Sequence, residues 1–221
     1  EQARKAGGTA PVHHIPDIPS SLVESSGDGI ARARAKMQKN KETLITYVGS
    51  FAAYQGVDMM FEAIAVAAKD NTNVRFVIIG GTQDEIAGRR GWLAERDAAE
   101  AVEFMGKIPP DELPDYLAAS DILLSPRLAG SNTPLKLLDY LKAGRAILAT
   151  DVESNRQILD ENTALLVKPD SVSFAEGIKR LVLDGSLRNR LSDNGKRLIR
   201  EKYNFNVFKK QIAECYGGLW K

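Results

Sequence analysis

The sequence predicts an α/β domain built on a mostly parallel sheet, and three observations carry that expectation. Six short apolar, β-branched runs, at 43–48, 74–79, 102–105, 122–124, 146–149 and 164–167, have the length and composition of buried strands. Stretches of helical periodicity stand between them. A hydrophobic content of 43% in 221 residues suffices for the core that such a domain needs. Strict alternation of strand and helix implies right-handed crossovers, and so a sheet covered by helices on both faces.

Residues 1–27 carry Pro11, Pro16 and Pro19 with several Gly and Ser and no sustained apolar period, the signature of a linker or strap. A short helix follows over 28–39, where Ile30, Ala33 and Met37 share a face. Residues 1–40 are thus expected to form a strap with one short helix, and 41–221 the α/β domain with its closing helices. After Gly56, residues Val57, Met60, Phe61, Ile64, Ala65 and Ala68 recur at helical spacing as one apolar stripe. Further helices are expected over 84–98, 111–119, 134–143, 174–183, 187–202 and 207–219. Ligands of such sheets bind beyond the carboxyl ends of the strands, so the loops after Val48, Ile79, Met105, Leu124 and Ala149 are the places to search.

Composition excludes several classes of function. Thirty Lys and Arg against 29 Asp and Glu leave a net charge of +1, with no broad attraction to nucleic acid or anionic membrane. Cys215 is the single cysteine and cannot form an internal disulfide, which favours a reducing compartment. No apolar run approaches the roughly 20 residues of a membrane span, and the N-terminus lacks a signal-peptide core. The expectation is a cytoplasmic protein, with a peripheral position at the inner membrane face left open. The first residue is not Met, so a fragment is expected. His13 and His14 lack Cys or acidic neighbours at metal spacing and read as solvated. Trp92, Trp220 and Tyr203 read as helix packing, because no basic and aromatic interleaving supports RNA binding.

Two loops have the character of ligand cradles. Gly49-Ser50-Phe51-Ala52-Ala53-Tyr54-Gln55-Gly56 is a small-residue loop bracketed by glycines before a helix; it reads as a phosphate cradle or as an ordinary βα turn. It matches neither the Walker pattern nor the three-glycine dinucleotide fingerprint. Gly80-Gly81-Thr82 carries the same ambiguity, with Thr82 also readable as a helix cap. The most informative segment runs from Ser125 to Gly144. There Thr133 reads as an N-cap, Pro134 as N1 and Gly144 as the C′ stop. Free N–H groups at Leu135 and Lys136, the helix dipole and the Lys136 ammonium would then converge on one spot suited to a diphosphate. Asp139 lies one turn deeper, where a carboxylate can accept from ribose hydroxyls. The competing reading makes Lys136 a solvated charge and Asp139 an i,i+3 partner of Lys142. Arg127, just beyond a strand end, reads as a second phosphate contact or as a surface ion pair.

From about Ile15 to the C-terminus the sequence resembles the C-terminal donor-binding domain of GT-B glycosyltransferases of the retaining family 4 (group 1) type. The resemblance rests on Tyr47-Val48-Gly49 with Gln55-Gly56-Val57-Asp58, on Phe104-Met105-Gly106-Lys107-Ile108-Pro109, on Ser120-Asp121-Ile122, and on Leu138-Asp139 through Ala143-Gly144-Arg145 to Thr150. It departs from that family at three cations and acids. The Arg after the first strand is Ser50, the Lys before the glycine is Gln55, and the first Glu of the family pair falls at Ser131, with Asp139 as the second acid. Asn-Thr-Pro-Leu-Lys at the helix start, Asn132 to Lys136, is shared with a subset of similar transferases.

The resemblance implies a Rossmann-like three-layer domain, the C-terminal half of a GT-B fold, that binds a nucleotide-sugar, most simply a UDP-sugar. The base would meet backbone near Lys107 and Ile108, the ribose Asp139, and the diphosphate residues 133–136, with Gly49, Ser50, Gln55, Arg127, Ser131 and Asn132 around it. An N-terminal acceptor-binding half would be the partner, so that this chain alone transfers no sugar. No Asp-x-Asp pair occurs, so a metal-independent, retaining hexosyl transfer is expected, with no further cofactor and no metal ligand. No residue is assigned the chemical step. The alternative is a catalytically silent nucleotide-binding or interaction module of the same fold, which Ser50, Gln55 and Ser131 favour.

Overall fold

The computed structural model describes residues 13, 15–21, 23–69, 73–130 and 132–217. The strands are β1 (Thr43–Val48), β2 (Val74–Ile79), β3 (Val102–Gly106), β4 (Ile122–Ser125), β5 (Ala146–Thr150) and β6 (Leu165–Val167). They form one sheet in the order β3-β2-β1-β4-β5-β6, and every pairing is parallel, which sharpens the expected mostly parallel sheet. The helices are α1 (Gly27–Met37), α2 (Val57–Lys69), α3 (Gln83–Ala94), α4 (Leu113–Ala119), α5 (Lys136–Ala143), α6 (Glu153–Arg156), α7 (Ser171–Leu183), α8 (Gly185–Glu201) and α9 (Phe205–Gly217).

Alternation along each strand divides the core into two layers. Ile45, Tyr47, Phe76, Ile78, Ile122, Leu124, Ala146 and Leu148 face α2, α3 and α7. On the other side, Leu44, Val77 and Ile79 face α1 and α4, while Leu123, Ile147 and Ala149 face α5. The α2 stripe is buried along its length at Val57, Met60, Phe61, Ile64 and Ala65. Trp92 packs against the first layer and Tyr203 is buried in the second, as expected of helix-packing aromatics. Trp220 and His14 lie outside the described residues, and His13 is exposed.

Helix ends moved where local hydrogen bonding outweighed periodicity. Asp170 and Asp184 accept from the N–H groups of Ser173 (2.7 Å) and Leu187 (2.8 Å), so α7 and α8 start upstream of their first apolar residues. Asn204 accepts from Val207 N–H at 3.0 Å and likewise draws α9 back; its expected end at 219 lies outside the described residues. Helix α3 ends at Ala94 because the chain turns through a left-handed Asp97 (φ 55°) to bury Ala98. Helix α6, four residues long, is too short for any period to reveal. Thr82 does cap α3, in a reciprocal box with Glu85.

Candidate functional site

The crossovers from β1 and β4 leave in opposite directions, so the crevice beyond these two neighbouring strands is the topological switch point where such sheets bind ligands. The loops after β1 and β4 meet there. Leu128 N–H donates to Tyr54 O at 3.0 Å. Gly56 lets them close: it is left-handed (φ 70°), and a Cβ on it would lie 1.9 Å from Pro126 O. A single 3₁₀ turn, Ala53–Gln55, then aims Gln55 into the crevice. Gly49 N–H is tied to Ile79 O at 3.0 Å, and Ser50 O accepts from the Tyr47 hydroxyl at 2.8 Å.

Helix α5 closes the crevice from the other side, and its start differs from the expected one. Leu137 and Leu138 N–H groups bond to Pro134 O and Leu135 O, both at 2.9 Å, so the first turn is a tight i→i+3 turn and the helix proper begins at Lys136. Thr133 is not its N-cap: its hydroxyl donates to Gln157 Oε1 at 2.7 Å. Pro134 is therefore not N1 and Lys136 is not N3, although Leu135 and Lys136 N–H still precede the first intrahelical bond. Gly144 does end the helix, left-handed at φ 62°.

Lys136 is turned inward and is not a solvated charge. Its Nζ lies 3.0 Å from Gln55 Oε1, 3.5 Å from Val48 O and 4.8 Å from the centre of the Tyr47 ring. Burial, with a smaller contribution from the Arg127 guanidinium, lowers its pKa to about 7. Tyr140, one turn along, anchors the helix: its hydroxyl accepts from Val48 N–H (3.1 Å) and donates to Leu124 O (3.3 Å), bridging the ends of β1 and β4. Burial pushes its phenol, like that of Tyr47, far above the usual tyrosine range.

Arg127 is buried, so it is not the surface ion pair of one reading. Its Nε donates to Ala129 O (2.8 Å) and its Nη2 to Asn132 Oδ1 (2.6 Å), and the guanidinium lies 5.4 Å from the Tyr54 ring centre. It is a brace of the loop after β4, not a surface ion pair. Ser131 lies outside the described residues.

Asp139 is likewise engaged. Ser20 of the strap donates its N–H to Oδ1 at 2.8 Å and its hydroxyl to Oδ2 at 2.5 Å. The i,i+3 pair with Lys142 does not form, because Lys142 pairs with Glu24 (3.0 Å) and donates to Ser21 O and Val23 O. A cavity of about 510 Å³ runs beside Asp139 under the strap, walled by Pro110, Leu113 and Leu117 rather than by the switch-point residues. Lys107 and Ile108 follow β3, two strands from β1 and so roughly 10 Å across the sheet. Lys107 is exposed, and Ile108 packs on the α1/α4 layer. The structure thus groups Gly49, Ser50, Gln55, Arg127, Asn132 and Lys136, and leaves Asp139 to one side with the strap.

Two supporting groups escaped the sequence reading. Asn155 of α6 donates to Thr150 O (2.9 Å) and Oγ1 (3.1 Å), and the Thr150 hydroxyl in turn donates to Arg127 O. All three residues are buried, so this network fixes the loop after β4 relative to β5. The other is Ser20. Neither has a local pattern to announce it: Ser20 meets Asp139 from 119 residues away, and the Asn155–Thr150 pair matters only through its link to Arg127, 23 residues before Thr150.

A family profile described as "Glycosyl transferases group 1" matches residues 30–198. An alpha-D-kanosaminyltransferase of Streptomyces kanamyceticus is 25% identical over 226 residues, covering 98% of this chain and 57% of that protein. The crystal structure of Anabaena HepE in complex with UDP and glucose superposes with a TM-score of 0.81 at 16% identity, over 97% of this chain and 59% of that one. The C-terminal domain of a group 1 glycosyl transferase, LpcC of Francisella tularensis, does so with a TM-score of 0.73 at 22% identity, over 85% of this chain and 99% of that domain. The chain spans a little over half the length of the first of these relatives. With an all-parallel sheet in this strand order, a closed crevice at its switch point and a family match across most of its length, the chain belongs to the group 1 glycosyl transferases.

Proposed function

We propose that the chain is the donor-binding half of a retaining, metal-independent hexosyltransferase that takes a UDP-sugar. The observation that carries this reading is the convergence of Lys136, Gln55 and the Gly49–Gly56 loop on one crevice at the switch point. A diphosphate there would meet the Lys136 ammonium and the N–H groups of Leu135 and Lys136, the positive surroundings that a leaving nucleoside diphosphate needs. The ribose would bond to Asp139. Ser20 takes one lone pair on each of its oxygens, and each oxygen has another to offer. The base would lie against backbone at Lys107 and Ile108. Support from outside the chain is the UDP and glucose bound by the Anabaena protein of the same fold.

On this reading a second half, of the size that the longer relatives leave room for, holds the acceptor, and this chain alone transfers no sugar. A cytoplasmic setting, with a peripheral position at the inner membrane face open to it, belongs to the same proposal. No helix among the described residues is long and apolar enough to cross a membrane. The silent module of the same fold is the second reading, favoured by one observation: Arg127 is already committed to Ala129 and Asn132.

Thermal unfolding with UDP, GDP, ADP and their sugars tests the donor site. UDP or a UDP-sugar at a hundredfold its dissociation constant should stabilise the fold by about 2.7 kcal/mol. The donor site is excluded by the absence of a shift with every nucleotide at millimolar concentration.

A further inference from the structure

Lys136 is the charged group of the crevice that packing explains least. Its amine touches an amide oxygen, a backbone carbonyl and an aromatic face, all neutral. No carboxylate among the described residues acts on it. The titratable and charged groups that face it are the Tyr47 phenol from β1 and the Arg127 guanidinium from the loop after β4; Asp139, on its own helix, is turned to Ser20. Burying an amine without an acid is unfavourable, and a side chain needed for packing alone requires no amine. What such an arrangement does provide is a vacancy for negative charge.

We infer that Lys136 is a proton-coupled anion clamp: its amine takes up a proton from solvent as a diphosphate arrives, and Gln55 is the positioning residue that aims it into the crevice. The inference rests on the donor-site reading above and adds a regulation to it. In the empty site, burial and Arg127 hold the amine near the midpoint of its titration at neutral pH. A diphosphate beside it favours the ammonium, so the proton goes onto the Nζ lone pair as the phosphates bind, with no covalent change. Arg127 cannot play this part, because a guanidinium stays protonated throughout.

Two consequences follow from a free-state midpoint at about 7 and an ammonium in the bound state. Binding at pH 7 should take up about half a proton, and affinity should fall roughly 25-fold between pH 6.5 and 8.5. UDP-glucose is the suitable probe, because its phosphodiester groups do not titrate in this range. Titration calorimetry of the 221-residue chain in PIPES and in Tris, whose ionisation enthalpies differ, reads the proton directly. Lys136→Arg, charged at every pH, should bind with no uptake and a flat pH profile. Gln55→Met should weaken binding and leave the uptake in place.

UDP-glucose binding without proton uptake, or uptake that persists in Lys136→Arg, overturns the inference and leaves the donor site standing. If no nucleotide-sugar binds, the donor-site reading fails instead. In that case, or if Lys136→Arg itself does not bind, the amine of Lys136 is titrated by NMR in the free chain. A midpoint near 7 keeps the switchable amine, and one above about 9, toward the ordinary lysine range, overturns it.

Discussion

Helix α5 carries two lysines six residues apart, and the protein treats them in opposite ways. Lys142 has a carboxylate, Glu24, and two strap carbonyls, Ser21 O and Val23 O, around its ammonium. Lys136 has only neutral partners and the repulsion of Arg127. The first arrangement satisfies its charge within the chain and fastens the strap to the helix. The second leaves a charge, or the capacity for one, facing the crevice. The same residue type is a fastening at one end and, at the other, an amine with neutral partners only, and the difference lies in whether an acid is supplied.

The comparison is broken most directly at Lys136. Lys136→Ala should cost on the order of 1.5 to 3 kcal/mol in UDP binding, the range of a charge-assisted hydrogen bond, with little loss of fold. Affinity within twofold of the parent by calorimetry would make Lys136 as structural as Lys142. Next in size is Asp139→Ala, which should weaken UDP by about 1 to 2 kcal/mol and leave pyrophosphate nearly unchanged, because its carboxylate is assigned to the ribose. An equal loss for both ligands would return Asp139 to the strap, as a partner of Ser20 alone.

Stability gives a smaller and pH-dependent signal. Because the folded chain binds the Lys136 proton less tightly than the unfolded chain, stability should rise with pH from about 7 toward the ordinary lysine range. The penalty for burying this amine is therefore full below pH 7 and fades above it. Lys136→Met should raise Tm at pH 6, by roughly 2–4 °C for each kcal/mol relieved, and the gain should shrink at pH 9. A constant difference at both pH values would show that the amine does not titrate in the folded chain. The smallest effect is expected from Lys142→Ala, about 0.5 to 1 kcal/mol of stability and no change in UDP affinity, since its partner Glu24 is largely exposed.

Much of the fold was legible because its signals are local. Strands β1 and β2 stand at their expected bounds, and the α2 stripe is buried at every expected position but Ala68, which is partly buried. Gly56 and Gly144 announced the turns they make, each in a left-handed conformation that favours glycine. The helix starts were less legible, and Thr133 shows why. A threonine before a proline is a good cap in isolation, but here a side chain 24 residues away, Gln157, takes its hydroxyl and the helix begins later.

Sequence alone determined the class of this protein: alternating strand and helix, small-residue loops at strand ends, and the Asn132 to Lys136 segment that marks the candidate site. Those features are properties of neighbours in the chain, where periodicity and turn chemistry operate over a few residues. Only the tertiary structure decided which charges are spoken for. Arg127 is committed to Ala129 and Asn132, Asp139 is met by Ser20 from 119 residues away, and Lys136 is half-buried, its amine against Gln55 with no acid beside it. The physical reason is that the state of an ionisable group depends on its desolvation and on the charges within a few ångströms, and the fold alone decides which distant residues those are.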